Sequence, residues 1–326
     1  MRPPRFWQTG GWPGALLMPL ALVVTGAARL RRRLTRQRRA AVPVLCIGNV
    51  TVGGAGKTPV AQDLGGRLVS AGRAVHFVTR GYGGRPGRTP LRVDPTAHDA
   101  ARVGDEALLL ARVAPTWIAP DRVAGARAAA LDGAEVVILD DGFQNPRLAY
   151  DRAMLVVDRE VGLGNGRVMP AGPLREPLSD ALARADALVP LGSADGRAGP
   201  TQGMARGIPC FPAEVVATEA AERLAGQRVV AFAGLARPDK LFATLRACGA
   251  DVVDTAAFPD HHPYSRADLE RLAARARELD ARLVTTRKDA VRLPPAYGDR
   301  VETVDVRVGW RDPAAVDRFL EGLFPS

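Results

Sequence analysis

From residue 42 onward, the chain alternates short apolar runs with stretches whose apolar residues recur three and four positions apart. VPVLCIGN (42–49), AVHFVTRGYGG (74–84), AEVVILDDGFQ (134–144) and MLVVD (154–158) read as buried strands, with TWIAP (116–120) a shorter one. Between them the spacing predicts helices from Pro59 to about Ser70, after Gly104 (DEALLLARV), and from about Asp121 to Leu131. Pro59 is acceptable at a first helical turn, where its missing N–H has no partner to lose. The text loosens into Gly/Pro loops at 160–180 and 188–203, then alternation resumes. VVAFAGLA (229–236), a helix through Leu241 and Leu245, DVVDTAAF (251–258), a helix from about Arg266 to Leu279, ARLVTTRKD (281–289) and a last helix from about Pro313 to Leu323 complete the chain. Strands alternating with helices predict a mostly parallel sheet with right-handed crossovers.

Composition changes this picture at one end only. A hydrophobic content of 47% with 5% aromatics is that of a folded core, which sets disorder aside. Cys46, Cys210 and Cys248 form neither a C-x-x-C pair nor a metal spacing, and fit a reducing compartment. Nine units of the +10 net charge lie in residues 1–39, which hold nine arginines and no acidic residue; the remainder carries 36 basic and 35 acidic groups. So localised an excess, with no RNA-binding motif, argues against a nucleic-acid partner. It follows an uncharged stretch of 18 residues, Gly11 to Ala28, interrupted by Pro13 and Pro19. A signal peptide (Arg2 and Arg5 leading, Thr25-Gly26-Ala27 near cleavage), a single spanning helix and a buried helix with a solvated tail are the competing readings. The RLRRRLTRQRR that follows resists translocation, which favours a membrane-inserted or surface-lying anchor. Its arginines would meet anionic headgroups at about 1 kcal/mol each. The expected division is an N-terminal anchor (1–39), a first α/β domain (40–205) and a smaller α/β domain (206–326) whose last helix packs back on the first.

The chemistry starts at GNVTVGGAGKTP (48–59), between a strand and a helix. It departs from G-x-x-x-x-G-K-[ST] at Thr51, and a bare glycine turn is the competing reading. A glycine loop there presents N–H groups and a helix N-terminus to phosphate. Gly53, Gly54, Ala55 and Gly56 would form the cradle, Lys57 would reach the β/γ-phosphates and Thr58 would ligate Mg²⁺. The chain retains only three lysines, at 57, 240 and 288, against 42 arginines. VVILDD (136–141) ends a strand in Asp140 and Asp141, the carboxylates such a site needs for its metal unless they only cap the next turn. His76 lies in a strand run, while His261 and His262 read, by themselves, as capping or surface residues. A P-loop ATPase or GTPase switch, or a partitioning-type ATPase, competes as a class. The partitioning type wants lysine where Val52 stands, and a GTPase wants N-K-x-D where this chain has Thr286-Arg287-Lys288-Asp289, which reads as structural. A binding-only protein would leave the carboxylates at 105, 106, 140 and 141 unexplained.

Taken in order, GNVTVGGAGKTP, TRGYGG (79–84), GDEALLLA (104–111), LDDGFQ (139–144), PAGPLREP (170–177) and FPDHH (258–262) resemble the tetraacyldisaccharide 4'-kinases of lipid A synthesis. The resemblance runs from the apolar N-terminus to TTRKDAVRL (285–293). It implies a P-loop NTPase-like sheet with helices on both faces, a smaller C-terminal α/β domain and an N-terminal membrane-associated helix. It also implies phosphorylation, by ATP and Mg²⁺, of the 4'-hydroxyl of a tetraacylated glucosamine disaccharide 1-phosphate at the cytoplasmic face of the inner membrane. The implied partners are that lipid and the membrane surface, with no obligate protein partner. By the same resemblance Asp105 accepts the hydroxyl proton or orients its acceptor, and His261 pairs with it, His262 being the alternative. Glu106 and Asp141 serve the metal, with Asp140 less defined. Arg175 offsets charge on the transferred phosphoryl group and Glu176 positions it; Arg80 and Tyr82 contact substrate or shape a glycine turn.

Overall fold

The computed structural model describes residues 4–54, 56–192 and 207–324. Among them, nine strands form one sheet in the order β13-β8-β7-β6-β1-β5-β2-β4-β3. These are β1 Val44–Gly48, β2 Val75–Thr79, β3 Leu91–Arg92, β4 Thr116–Ile118, β5 Val136–Asp140, β6 Arg152–Asp158, β7 Ala187–Leu191, β8 Ala213–Ala217 and β13 Val306–Trp310. Pairing is parallel from β8 through to β4 and antiparallel at the two edges, β13 on β8 and β3 on β4. The apolar runs are continuous because both faces are covered. Leu45 and Ile47 of β1 enter the core under the helix Lys57–Ser70, whereas Val44 and Cys46 pack with Ala126 and Ala129 of the helix Arg122–Leu131. Neighbouring β5 divides likewise, Val136 and Ile138 on one face, Val137 and Leu139 on the other.

The second sheet is all parallel in the order β10-β9-β11-β12: β9 Arg228–Ala233, β10 Asp251–Ala257, β11 Arg282–Thr286 and β12 Glu302–Val304. Phe242 and Leu245 of the helix Asp239–Ala247 cover one face, and Leu269 and Leu272 of the helix Arg266–Glu278 the other. The chain leaves β9 to one side for β10 and to the other for β11. The crevice at the carboxyl ends of these strands is thus a topological switch point, the place where open α/β sheets present functional groups.

The expected domain boundary at 205/206 lies outside the described residues. Beyond it, β8 and β13 belong to the larger sheet. The helix Pro313–Glu321 packs there too, burying Val316 and Leu320 beside Trp310. The stretch expected to be a loop from 188 begins instead as β7. Pro190 disguises it, since a proline usually excludes a central strand. Here Leu188 and Gly192 donate to Pro209 and Ala213 on one side, so Pro190 between them forgoes a single ladder bond.

At the N-terminus the apolar stretch folds into two helices, Trp12–Leu16 and Met18–Leu34, each with its proline in the first turn. Among the described residues no helix is long and apolar enough to cross a membrane. The longer helix buries Ala21 against the protein and exposes Leu20, Val23, Leu30 and Leu34, which recur at helical spacing with Leu16 on the opposite side. Part of the basic charge turns inward: Arg29 grips Asp180 at 2.7 and 2.8 Å, and Arg32 lies 3.6 Å from Glu176. Arg31, Arg33 and Arg36 are exposed.

Candidate active site

β1 ends at Gly48 in the middle of the larger sheet, so the glycine loop opens at the carboxyl edge between β5 and β6. The loop then feeds the helix Lys57–Ser70. Gly56 caps that helix at φ +76°, a left-handed conformation suited to glycine, with its α-carbon pressed toward Leu191 at the end of β7. Gly53 takes φ +113° with open space around it, and Gly54 is likewise unobstructed, leaving their backbone N–H groups accessible to an anion. Ala55, expected in the same cradle, lies outside the described residues.

Thr51, the departure from the usual pattern, sits in a strand-like main-chain pairing. It forms an antiparallel bridge with Leu174, and bonds from Val52 N–H to Pro173 O (2.9 Å) and from Arg175 N–H to Val50 O (2.7 Å) extend the pairing. The PAGPLREP segment is thereby laid along the glycine loop, which carries Arg175 into the site. Arg175 Nη1 donates to both oxygens of Asp141, at 2.9 and 3.2 Å, and to Gln144 Oε1 at 3.2 Å. Gln144 Nε2 in turn donates to Asn49 O at 2.8 Å and Glu176 Oε1 at 3.2 Å.

Lys57 Nζ bonds Asn49 Oδ1 at 3.2 Å and lies 3.5 Å from Asp141 Oδ1. Burial opposes ionisation of Asp141, but Lys57 and Arg175 outweigh it and hold that carboxyl below its ordinary value. Asp140, at the end of β5, is in the opposite condition. Burial, reinforced by the charge of Glu106, pushes it up to about 7. Thr58 Oγ1 donates to its Oδ2 at 3.0 Å, while Oδ1 is buried with no hydrogen-bond partner. A buried carboxylate oxygen left unpaired beside a hydroxyl ligand fits a hard cation. Among the described residues no three His, Cys, Asp or Glu side chains close around one point. That suits Mg²⁺, which is commonly held by one or two carboxylates plus substrate phosphates and water.

Asp105 opens the helix Asp105–Ala111 behind Gly104, which takes φ +84°. The neighbouring Gly84 of TRGYGG is packed against the backbone of residues 102–104, so this loop and the start of the helix act as one unit. Asp105 is 2% exposed; its Oδ1 accepts from Glu106 N–H at 2.9 Å and its Oδ2 lies 2.8 Å from His261 Nδ1. Burial works against its charge, yet His261, Lys288 and Arg292 together hold the carboxyl below its usual value. The contact joins the two sheets, because His261 belongs to the loop leaving β10. His262 instead turns to Asp268 (3.2 Å), which closes a capping box with Ser265. Tyr82, 65% exposed, sets its ring 5.5 Å from the His261 ring, edge to face. Glu106 stands 3.6 Å from Lys288 Nζ. A bond from Gln62 to Leu109 O at 3.0 Å ties the helix bearing Asp105 to the one bearing Lys57 and Thr58.

The structure thus gathers the sequence-derived residues in two linked groups. Lys57, Thr58, Asp140, Asp141 and Arg175 surround the glycine loop; Asp105, Glu106 and His261 stand at the junction of the sheets. Sequence reading gave no role to Asn49, Gln144, Arg122, Lys288 or Arg292. Asn49 and Gln144 sit inside quoted motifs. Arg122 follows β4 and is 5% exposed; burial lowers its pKa, as does Arg80, and its Nη1 donates to Ala119 O.

Known proteins resemble this chain along nearly its full length. The profile of the family described as tetraacyldisaccharide-1-P 4'-kinase matches residues 14–324. A tetraacyldisaccharide 4'-kinase of Gluconacetobacter diazotrophicus is 53% identical over 323 residues, covering 98% of this chain and 98% of that protein. One of Rhodospirillum centenum is 53% identical over 333 residues, covering 99% and 97%. The crystal structure of LpxK from Aquifex aeolicus in complex with ATP superposes with a TM-score of 0.78 at 26% identity, over 96% of this chain and all of that one. The chain belongs to the tetraacyldisaccharide-1-P 4'-kinase family.

Proposed function

We propose that this chain transfers the γ-phosphoryl group of ATP to the 4'-hydroxyl of a tetraacylated glucosamine disaccharide 1-phosphate, a step of lipid A synthesis. The observation that supports this reading is the 2.8 Å Asp105–His261 contact at the junction of the sheets, where the two side chains would act together as proton acceptor. The charge of the adjacent Glu106 reaches Asp140 of the nucleotide site.

Phosphoryl transfer requires positioning and charge neutralisation more than covalent help. In this reading the N–H groups of Gly53 to Gly56 and Lys57 hold the phosphates. Thr58 and Asp140 hold Mg²⁺, with Glu106 and Asp141 at hand, and the ion supplies neutralisation of charge on the phosphate oxygens. Arg175, presented by the strand-like pairing beside Thr51, faces the transferred group. Asp105 and His261 accept the sugar proton, with Asp105 fixing the tautomer and direction of the imidazole.

The lipid stays in its bilayer, so the protein goes to the cytoplasmic face of the inner membrane. The exposed row Leu16, Leu20, Val23, Leu30 and Leu34, flanked by Arg31, Arg33 and Arg36, supports a helix lying on that surface. We assign residues 1–39 to this anchor and the nucleotide to the larger sheet, including β8 and β13. Residues 219–304 form the unit that brings His261 over it. The scheme needs no protein partner and no nucleic acid.

The test is a lipid kinase assay with ATP, Mg²⁺ and the disaccharide 1-phosphate in detergent micelles. A 4'-phosphorylated product is expected, with Asp105→Ala and His261→Ala each lowering kcat by roughly 100-fold or more. ATP hydrolysis indifferent to the lipid would sink the reading.

A further inference from the structure

The segment TTRKDAVRL (285–293) is left idle by this mechanism, yet it contains a densely bonded charge pair. Asp289 is fully buried at the carboxyl end of β11. It accepts from Gly234 N–H (2.7 Å), Tyr264 O–H (2.6 Å), Thr286 O–H (2.5 Å) and Arg292 Nη2 (2.5 Å). Asp289 holds one end of the Arg292 guanidinium plane. In that plane Arg292, 6% exposed, donates through Nη1 to His262 O at 3.1 Å, through Nη2 to Gly234 O at 3.1 Å and through Nε to Lys288 O at 3.3 Å. Its Nε also stands 3.7 Å from Asp105 Oδ2, across the junction of the sheets.

These contacts converge on one weak point of the fold. His261 has φ +58°, a left-handed conformation that a non-glycine residue keeps only when its surroundings impose it. Its own N–H donates to Gly234 O at 3.1 Å, the same carbonyl that Arg292 holds, and the next carbonyl along the chain is the one on Arg292 Nη1. Arg292 therefore fastens the turn on both sides of His261 and lies against the carboxylate that His261 must meet. An ion pair serving stability alone would require Asp289 and Arg292 to satisfy each other; it would not require the flanking carbonyls or Asp105.

We propose that Arg292, oriented by Asp289, is the positioning residue of the Asp105–His261 pair, setting the left-handed turn at His261 and its approach to Asp105. This rests on the reading of that pair as the proton acceptor. A lysine would keep the charge but, as a single point donor, could not span the acceptors that a planar fork reaches at once.

Steady-state kinetics of the full chain, with kcat normalised to the fraction that binds ATP, tests the assignment in Arg292→Lys and Arg292→Gln. Both are expected to lose roughly 10- to 100-fold in kcat, the scale of a small misplacement of reacting groups. KM for ATP should stay within about twofold, because the glycine loop is not touched. In a His261→Ala background, Arg292→Lys should cost less than about threefold more, since residues that act through one another are non-additive. An unchanged kcat in Arg292→Lys, an equal loss in both backgrounds, or a parallel loss of ATP affinity each overturns the inference. Failure of the underlying reading looks different: the unaltered chain would not phosphorylate the lipid, or His261→Ala would match it.

Discussion

The exposed row on the N-terminal helix yields a prediction whose size follows from the structure. Leu20 and Leu30 are 52% and 57% exposed, whereas Ala21 on the same helix is buried. Burying a whole leucine side chain is worth about 1.5–3 kcal/mol, so entry of these exposed portions into a bilayer surface gives together roughly 2–3 kcal/mol. At 1.4 kcal/mol per tenfold, Leu20→Gln with Leu30→Gln should weaken vesicle partitioning by about 30- to 150-fold. Co-sedimentation of the full chain with vesicles of phosphatidylethanolamine and phosphatidylglycerol measures this directly. Leu131→Gln is the control: that leucine is 79% exposed at the end of a different helix and should change partitioning by less than about threefold. Raising salt should remove the arginine share of binding, about 1 kcal/mol for each of Arg31, Arg33 and Arg36, and leave the apolar share. A double variant that partitions within about threefold of the unaltered chain, or a control that falls as far, refutes this helix as the membrane face.

Four further outcomes are expected. Gly84→Ala would place a methyl 2.6 Å from Gly104 N and 2.7 Å from Arg102 O, both backbone atoms. It should lower stability by roughly 1–3 kcal/mol, the range for overpacking, and reduce kcat by displacing Asp105, read by thermal denaturation beside the kinase assay. Asp140, raised to about 7 in the metal-free protein, must lose its proton to ligate Mg²⁺. Mg²⁺ affinity should therefore fall as pH drops below about 7, with proton release seen by calorimetry in buffers of different ionisation heat. The same shift has a sign for stability: a carboxyl raised on folding favours the native state at low pH, so that contribution in the metal-free protein is lost as pH climbs from about 4 to about 7. Trp310→Ala should cost about 3–5 kcal/mol in denaturant unfolding, because Trp310 is 8% exposed in the core of the larger sheet and its Nε1 bonds Asp63 at 2.6 Å.

What the sequence disclosed and what it withheld follow a physical division. β1, β5 and the helix from Lys57 were legible because a continuous apolar run, a glycine loop and a helix start are local patterns. Lys57, Thr58, Asp140 and Asp141 were legible for the same reason, each lying next to the element that aims it. β7 was hidden because Pro190 carries a rule about central strands whose force depends on which neighbour the missing N–H would have faced. β8 and β13 were missed, and their membership of the larger sheet could not be read. Each is only partly buried and carries no continuous apolar run, and it is their antiparallel pairing and the burial of Trp310 that put them there, both long-range events. The choice between His261 and His262 illustrates the same limit more sharply. Two adjacent identical side chains differ only in backbone conformation: φ +58° at His261 sends one ring to Asp105, while its neighbour goes to Asp268. That conformation is not encoded at positions 261 and 262. It is sustained from Gly234, Asp289 and Arg292, which lie up to 31 residues away in sequence and meet only once the second sheet has formed. The motifs name the chemistry, and the residues between the motifs decide whether its groups meet. Arg292 is where that distinction becomes measurable, since it lies in a segment that reads as scaffold and holds the turn on which His261 depends.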